Sequence, residues 1–328
     1  MNRAELISRI ARQLPWLLLA LAAGILLLEL RRPSDVLLFW PAWAETGMLA
    51  AGLTLVMLTG GIDLSVGAIV ALASMALGLA WQQWDWSIES AALLAIAVGF
   101  VCGAWNGGLV IGGISPLVAT LATMACYAGG ALALSGGERV AGLPNAFTAL
   151  GNTRWLGIPS QVWWMLALFA VASVFVHGTR WGRYLYALGD NPTAARFAAL
   201  PVKRLLWSIY AASGCVAGMV AVAYTARSGA ATPTSGVGRE LEAIACVVLG
   251  GTRVTGGAGG MGRTLLGVIV LAHLDIALQL AGSLNLRLPG MEAAWQPSAE
   301  SRQIILGLLV IGMAIWNERL ARRREALA

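Results

Sequence analysis

The sequence carries little charge, since only 12% of its 328 residues are Asp, Glu, Lys or Arg. A soluble domain normally has about a quarter charged residues, so a water-soluble globule is excluded. Intrinsic disorder is excluded as well, because a disordered chain combines high charge with low hydrophobicity, whereas 58% of these residues are hydrophobic. The scarcity of charge therefore places the chain in a membrane.

Lysine, histidine and cysteine are also scarce, and each scarcity removes a class of function. All but one of the 22 basic residues are arginines, and they do not alternate with aromatic residues, which argues against a nucleic-acid partner. The four cysteines lie in apolar runs without zinc or haem spacing, and with two histidines they assemble no catalytic or metal-binding set. We therefore expect this chain to bind no metal ion or cofactor and to have no enzymatic activity.

Long apolar runs are what the sequence has in abundance. A mean hydropathy of +0.75, with 40 glycines and 14 tryptophans, is typical of membrane proteins with closely packed helices. We predict an all-α integral membrane protein with about ten transmembrane helices, some of them broken or re-entrant, in one domain over residues 1–328. The predicted spans are Leu14–Leu30, Ala44–Leu58, Ile62–Ala80, Ala91–Ile111, Leu117–Leu134, Val162–Val176, Leu205–Tyr224, Leu241–Leu249, Thr264–Ala281 and Ile304–Trp316.

The residues that flank the apolar runs indicate on which side of the membrane the termini lie. The first run is either a secretory signal peptide or a retained helix, and we favour the helix because charged residues, not small ones, follow it. With ten spans and the N-terminus inside, most basic residues face the cytoplasm. This agrees with the positive-inside tendency and predicts that both termini are cytoplasmic.

The longest interior loop, residues 178–206, contains the signature of a short helix. Asn191 followed by Pro192 is a typical helix start, Thr193–Leu200 can form two turns, and Pro201 ends them. The helix either rests on lipid or docks on a cytoplasmic partner, with small alanines permitting close approach. The candidate docking residues are Asn191, Thr193, Ala194, Ala195, Arg196, Phe197, Leu200 and Pro201.

Polar residues inside apolar runs mark a second candidate site. Paired glycines followed by Asp63 and Ser65 interrupt a long apolar run, and polar groups are costly in a bilayer. Asp63 either caps the helix that resumes or lines a translocation path. Asn106 is expected to hydrogen-bond a neighbouring helix, and a second glycine pair recurs in the other half of the chain. The candidate path or gate residues are Gly60, Gly61, Asp63, Ser65, Asn106, Gly250 and Gly251.

One motif is misleading. Residues 257–262 match the G-x-G-x-x-G pattern of dinucleotide-binding loops. That chemistry requires a strand, a tight turn and a helix in a soluble sheet, whereas the neighbours here are spanning segments. We therefore predict an irregular turn between two helices.

Five stretches together resemble the permease subunits of bacterial ribose/xylose-type ABC importers, a binding-protein-dependent family that transports monosaccharides or autoinducer 2. They are Gly60–Gly67, Asn106–Gly107, Pro116–Leu121, Ala187–Arg196 and Glu240–Gly251. The resemblance covers nearly the whole chain from about residue 45 onwards. It implies a multi-pass protein of the bacterial inner membrane whose loop 178–206 couples it to an ATPase.

The resemblance also implies partners. These are cytoplasmic ATP-binding subunits that hydrolyse ATP, an extracytoplasmic substrate-binding protein, a second permease copy or paralogue, and membrane lipid. The substrate stays open between ribose, another pentose, a deoxyhexose such as rhamnose, and autoinducer 2, because Asp190 and the long outer loop depart from the family pattern. The alternative hypothesis is a stand-alone secondary transporter driven by protons through Asp63, Asp275 or His273.

Overall fold

The computed structural model describes residues 33–283, together with positions 304, 307, 308 and 312. The predicted first span, Leu14–Leu30, lies outside the described residues, as does most of the predicted last span, Ile304–Trp316. The helices are α1 (Pro33–Leu58), α2 (Val66–Gln82), α3 (Ile88–Ile111), α4 (Pro116–Ser135), α5 (Asn145–Asn152), α6 (Ser160–Gly178), α7 (Arg180–Asp190), α8 (Pro192–Phe197), α9 (Val202–Ser228), α10 (Arg239–Leu249) and α11 (Met261–Ser283).

Six of these helices are long and apolar enough to cross a membrane: α1 from Val36, α3, α4, α6, α9 and α11 to Leu280. Helix α2 is apolar but has only 17 residues. The described part of the chain thus confirms a largely helical integral membrane protein. The total of ten spans and the side on which the termini lie stay predictions.

Four two-residue strands accompany the helices, and the sequence did not predict them. They are β1 (Val140–Ala141), β2 (Arg154–Trp155), β3 (Ile158–Pro159) and β4 (Ala230–Ala231). Strand β1 pairs antiparallel with β4, and β2 pairs antiparallel with β3. The first pairing ties the loop after α4 to the end of α9.

The described residues fall into two compact units. Residues 40–269 form the larger unit, and 33–39 and 270–283 belong to the other. Helices α1 and α9 are the most buried of the six apolar helices, with 67% and 61% of their most apolar 18 residues buried, against 22%, 28% and 33% for α4, α6 and α3. Helix α9 lies wholly within the larger unit. Its Tyr210 side chain is fully buried. The less buried helices are the ones available to lipid.

Helices α3 and α9 pack with their backbones in contact. Gly99 and Gly103 of α3 face Gly214 and Gly218 of α9, and a Cβ atom at any of the four would overlap backbone atoms of the other helix. We call these four residues the glycine seam. Small residues at such spacing let membrane helices approach closely, which fits the abundance of glycine in the sequence.

Candidate functional site

The break after α1 is held by a chain of buried hydrogen bonds. Asp63 Oδ1 accepts hydrogen bonds from the Ser65 backbone N–H at 2.9 Å and from the Ser65 hydroxyl at 2.7 Å. The Ser65 oxygen in turn accepts a hydrogen bond from Asn106 Nδ2 at 2.7 Å. All three side chains are fully buried. The structure therefore brings three of the predicted path residues together, directly before the start of α2.

Helix α4 holds the same segment from the other side. The Tyr127 hydroxyl donates to Asn106 Oδ1 at 3.1 Å, which extends the chain by one residue. Thr120 Oγ1 accepts from the Leu64 backbone N–H at 3.2 Å and lies 3.3 Å from the carbonyl oxygen of Ile62. Sequence reasoning missed Tyr127 and Thr120 as site residues. The available signal was their spacing of seven, which places both on one face of α4.

Two buried polar atoms at the break have no hydrogen-bond partner among the described residues. They are Asp63 Oδ2 and the hydroxyl of Tyr210. Gly61 lies directly against the Tyr210 hydroxyl, where a Cβ atom would leave no room. Buried polar groups are nearly always satisfied, so an unpaired acceptor and an unpaired hydroxyl at one break are a functional signal.

Three chain segments meet at a second cluster. The Gly257 backbone N–H donates to the carbonyl oxygen of Leu58 at 3.0 Å, and Gly256 packs against Gly60. A Cβ atom at Gly189 would overlap both the Leu58 oxygen and the Gly257 nitrogen. We call Leu58, Gly189, Gly256 and Gly257 the glycine junction. It joins the end of α1, the end of α7 and the glycine-rich turn through backbone contacts.

Tyr186 adds a side-chain link to the glycine junction. Its hydroxyl donates to the carbonyl oxygen of Gly259 at 3.1 Å, so α7 holds the glycine-rich turn at two points. Burial raises the pKa of Tyr186, while nearby Arg263 acts in the opposite direction. The hydroxyl therefore stays protonated and able to donate throughout the physiological range.

The candidate docking helix begins as predicted and is shorter than predicted. Asn191 Oδ1 accepts from the Ala194 backbone N–H at 2.9 Å, which makes it the cap of α8. Phe197 is 88% exposed, whereas Ala195 is buried at 3%. Leu200 is half-buried, and Pro201 occupies the cap position of α9. The remaining predicted docking residues, Thr193, Ala194 and Arg196, are exposed. The predicted docking residues within α8 are therefore exposed, apart from Ala195.

A buried ion cluster at the other end of α9 was not predicted. The fully buried Glu45 carboxylate binds Arg227 through two bonds of 2.6 and 2.9 Å and Arg239 at 3.1 Å. The ring of Tyr224 lies 5.5 and 5.7 Å from the two guanidinium carbons. The signal in the sequence was three charges at the edges of apolar runs, which in a membrane must find partners.

Comparison with known proteins identifies the family. Residues 42–314 match the model of the branched-chain amino acid transport system / permease component family. The chain belongs to this permease family. The resemblance inferred from the sequence is confirmed, and the permease is a transport subunit and a multi-pass protein of the bacterial inner membrane.

Curated relatives match over most of the permease. The autoinducer 2 import system permease protein LsrD of Yersinia enterocolitica is 34% identical over 94% of this chain and 95% of its own. LsrD of Enterobacter sp. strain 638 is 38% identical over 73% and 75%. LsrD of Salmonella paratyphi B is 35% identical over 85% of each chain. No solved structure matches the permease at a significant level.

The second glycine pair of the permease lies apart from the hydrogen-bonded break. Gly250 and Gly251 end α10, and Gly250 packs against the backbone of Arg263 and Thr264 in α11. The turn that follows, with the G-x-G-x-x-G match, connects α10 to α11, so the element directly before it is a helix and not a strand. It is therefore an irregular turn between helices, and its glycines serve the glycine junction.

Proposed function

We propose that the permease is the membrane subunit of an ABC importer for a monosaccharide or a sugar-like signal. Two cytoplasmic ATP-binding subunits supply the energy, and an extracytoplasmic substrate-binding protein delivers the solute. The LsrD relatives favour autoinducer 2 over ribose, rhamnose and other pentoses or deoxyhexoses, since these relatives are named as autoinducer 2 import permeases. Family membership favours this importer over the stand-alone proton-coupled transporter.

The glycine junction is the observation that carries the proposal. Gly189 lies two residues before the Asn191 cap of α8, the predicted coupling helix, and touches the backbone at the end of α1. The break with Asp63 begins directly after α1. A displacement of α8 therefore reaches the break through rigid backbone contacts, with no flexible side chain between them. Packed contacts of this kind have discrete arrangements, as a gate requires.

In this mechanism ATP-driven closure of the partner subunits moves the loop 178–206, and α8 meets the ATPase with its exposed Phe197. The motion shifts the end of α1 and releases or restores the bonds between Asp63, Ser65 and Asn106. The unpaired polar atoms beside Gly61 then face the solute. A second permease copy or a paralogue completes the path. The chain itself performs no chemistry, because ATP is hydrolysed by the partners.

The test is uptake by purified components in lipid vesicles. The permease is reconstituted with its ATP-binding and substrate-binding partners, and labelled autoinducer 2, ribose and rhamnose are offered in turn. We expect ATP-dependent uptake of one of them. Uptake driven by a proton gradient through this chain alone would overturn the importer.

A pair of glycine variants tests the coupling route. Gly189→Ala places a methyl group against the backbone of Leu58 and Gly257, whereas Gly262→Ala meets only open space. We expect Gly189→Ala to lower the amount of solute imported per ATP hydrolysed and Gly262→Ala to leave it unchanged. Equal coupling ratios in the two variants would remove the glycine junction from the mechanism.

A further inference from the structure

A deep apolar groove runs along the outside of α9. Its cavity of about 780 Å³ lies between α6 and α9, with Leu55 of α1 also in its wall. Val171 and Phe175 of α6 and Trp207 and Val216 of α9 line it. The walls offer almost no hydrogen-bonding groups, and the Ser208 hydroxyl already donates to the carbonyl oxygen of Leu205. The groove is therefore unsuited to a sugar and suited to a hydrocarbon chain.

The length of the groove matches one leaflet of a bilayer. From Arg204 to Val216 it follows α9 for about 18 Å, at about 1.5 Å per helical residue. Half of the hydrocarbon core of a membrane is about 15 Å thick. An acyl chain that starts at the level of Arg204 therefore reaches the far end of the groove.

The mouth of the groove is cationic. An adjoining cavity of about 660 Å³ shares Lys203 and Arg204 with the groove and adds Arg196. All three side chains are exposed, and none makes an ion pair or hydrogen bond with a described residue. Trp181 and Trp207 lie at the same end, and tryptophan favours the boundary between hydrocarbon and headgroups.

We propose that the groove between α6 and α9 holds an anionic phospholipid, with its acyl chain against Val171, Phe175 and Val216 and its phosphate at Arg196, Lys203 and Arg204. Uncompensated cations above an apolar slot between helices select an anionic headgroup over a neutral one. The proposal rests on the shape and charge of the groove, so it is independent of the transported solute.

Quenching of Trp207 fluorescence by brominated lipid tests the proposal. The full chain is reconstituted in vesicles with phosphatidylglycerol or phosphatidylcholine brominated on the acyl chain, at matched mole fractions. The signal of Trp207 is the difference between the wild type and Trp207→Phe, which keeps the groove apolar. We expect half-maximal quenching at a mole fraction about tenfold lower for phosphatidylglycerol than for phosphatidylcholine.

Two double variants identify the headgroup contacts. Lys203→Gln with Arg204→Gln should remove the preference for phosphatidylglycerol. Arg180→Gln with Arg183→Gln removes the same charge from exposed positions on α7 outside the lining of both cavities, and should keep the preference. Quenching by phosphatidylcholine in each variant shows that the chain is folded in the bilayer.

Each other outcome contradicts the proposal. Equal quenching of the wild type by the two lipids would mean that lipid enters the groove without headgroup selection. Absence of Trp207 quenching by either lipid would mean that protein covers the groove, either a second copy or another segment of this chain. Loss of the preference in both double variants would assign it to overall charge and not to the groove.

Discussion

Glu45 shows what a charged side chain needs in order to remain inside a membrane helix. Its carboxylate is fully buried, and both of its oxygens are bound by guanidinium groups from Arg227 and Arg239. Each arginine in turn lies near the ring of Tyr224, and Arg239 also donates to the carbonyl oxygen of Ala42 at 2.9 Å. The cluster ties α1, α9 and α10 together at one level, and Glu45 is its centre, because removal of this carboxylate leaves two guanidinium groups without a counter-charge.

Replacement of Glu45 by glutamine should destabilise the permease. The substitution keeps the shape and leaves two cations facing a neutral amide, which costs about 3 kcal/mol for a buried pair. Thermal unfolding in detergent measures the effect as a clear fall in the transition temperature. The matched control is Glu138→Gln, which neutralises an exposed carboxylate. Equal transition temperatures for the two variants would contradict the structural role of Glu45.

For individual residues, the sequence predicted part of the hydrogen-bonded break between α1 and α2. Asp63, Ser65 and Asn106 were predicted because polar residues in apolar runs stand out by composition alone. Tyr127 and Thr120 were not, because tyrosine and threonine are common in spanning helices and only the packing of α4 shows what they touch. The partners of Glu45 were missed for the same reason, since tertiary packing alone decides which distant charges meet.

Among the helices, the contact between α3 and α9 sets the geometry of the unit formed by residues 40–269. The glycine seam allows no side chain between the two backbones, so the helices are held at one distance and one register. Asn106 and Tyr210, which both serve the break, lie on these same two helices. The seam therefore fixes one wall of the candidate path.

Gly103→Ala should destabilise this helix pair. Its methyl group would overlap the carbonyl oxygen of Tyr210 and the backbone of Gly214, and overpacking of this kind costs about 1–3 kcal/mol. Gly108→Ala is the control, since it lies on the same helix with open space around it. The yield of monodisperse protein in size-exclusion chromatography should fall for Gly103→Ala alone. Similar yields would argue against a rigid seam.

Helices differ in how well the sequence predicts them. The prediction Ala91–Ile111 for α3 is within three residues of its observed start, because the length of an apolar run decides a spanning helix. Helix α7 was missed, since Arg180–Asp190 mixes charged residues with a short apolar stretch and buries Leu185 and Leu188 on one face. Short amphipathic helices depend on what they pack against, and an apolar run does not reveal that surface.

For the whole molecule, the prediction of ten spans fixes the side of the membrane on which each loop lies, and reporter fusions test it. Ten spans with a cytoplasmic N-terminus place the C-terminus in the cytoplasm, whereas an odd number places it outside. We expect a C-terminal alkaline phosphatase fusion to be inactive and an insertion between α2 and α3 to be active, because that enzyme works only outside the cytoplasm. An active C-terminal fusion would contradict the even number of spans.

The glycine seam also has a consequence for how the permease is made. Helix α3 leaves the ribosome well before α9, because Gly214 follows Gly99 by roughly a hundred residues, or roughly 5–20 s of synthesis. During that interval the bare glycine face of α3 has no partner helix and is exposed to lipid or to the insertion machinery. The close backbone packing of α3 against α9 is thus completed late in synthesis. A chain that stalls before α9 is made would leave this face of α3 unpacked, and we expect quality-control proteases to degrade it.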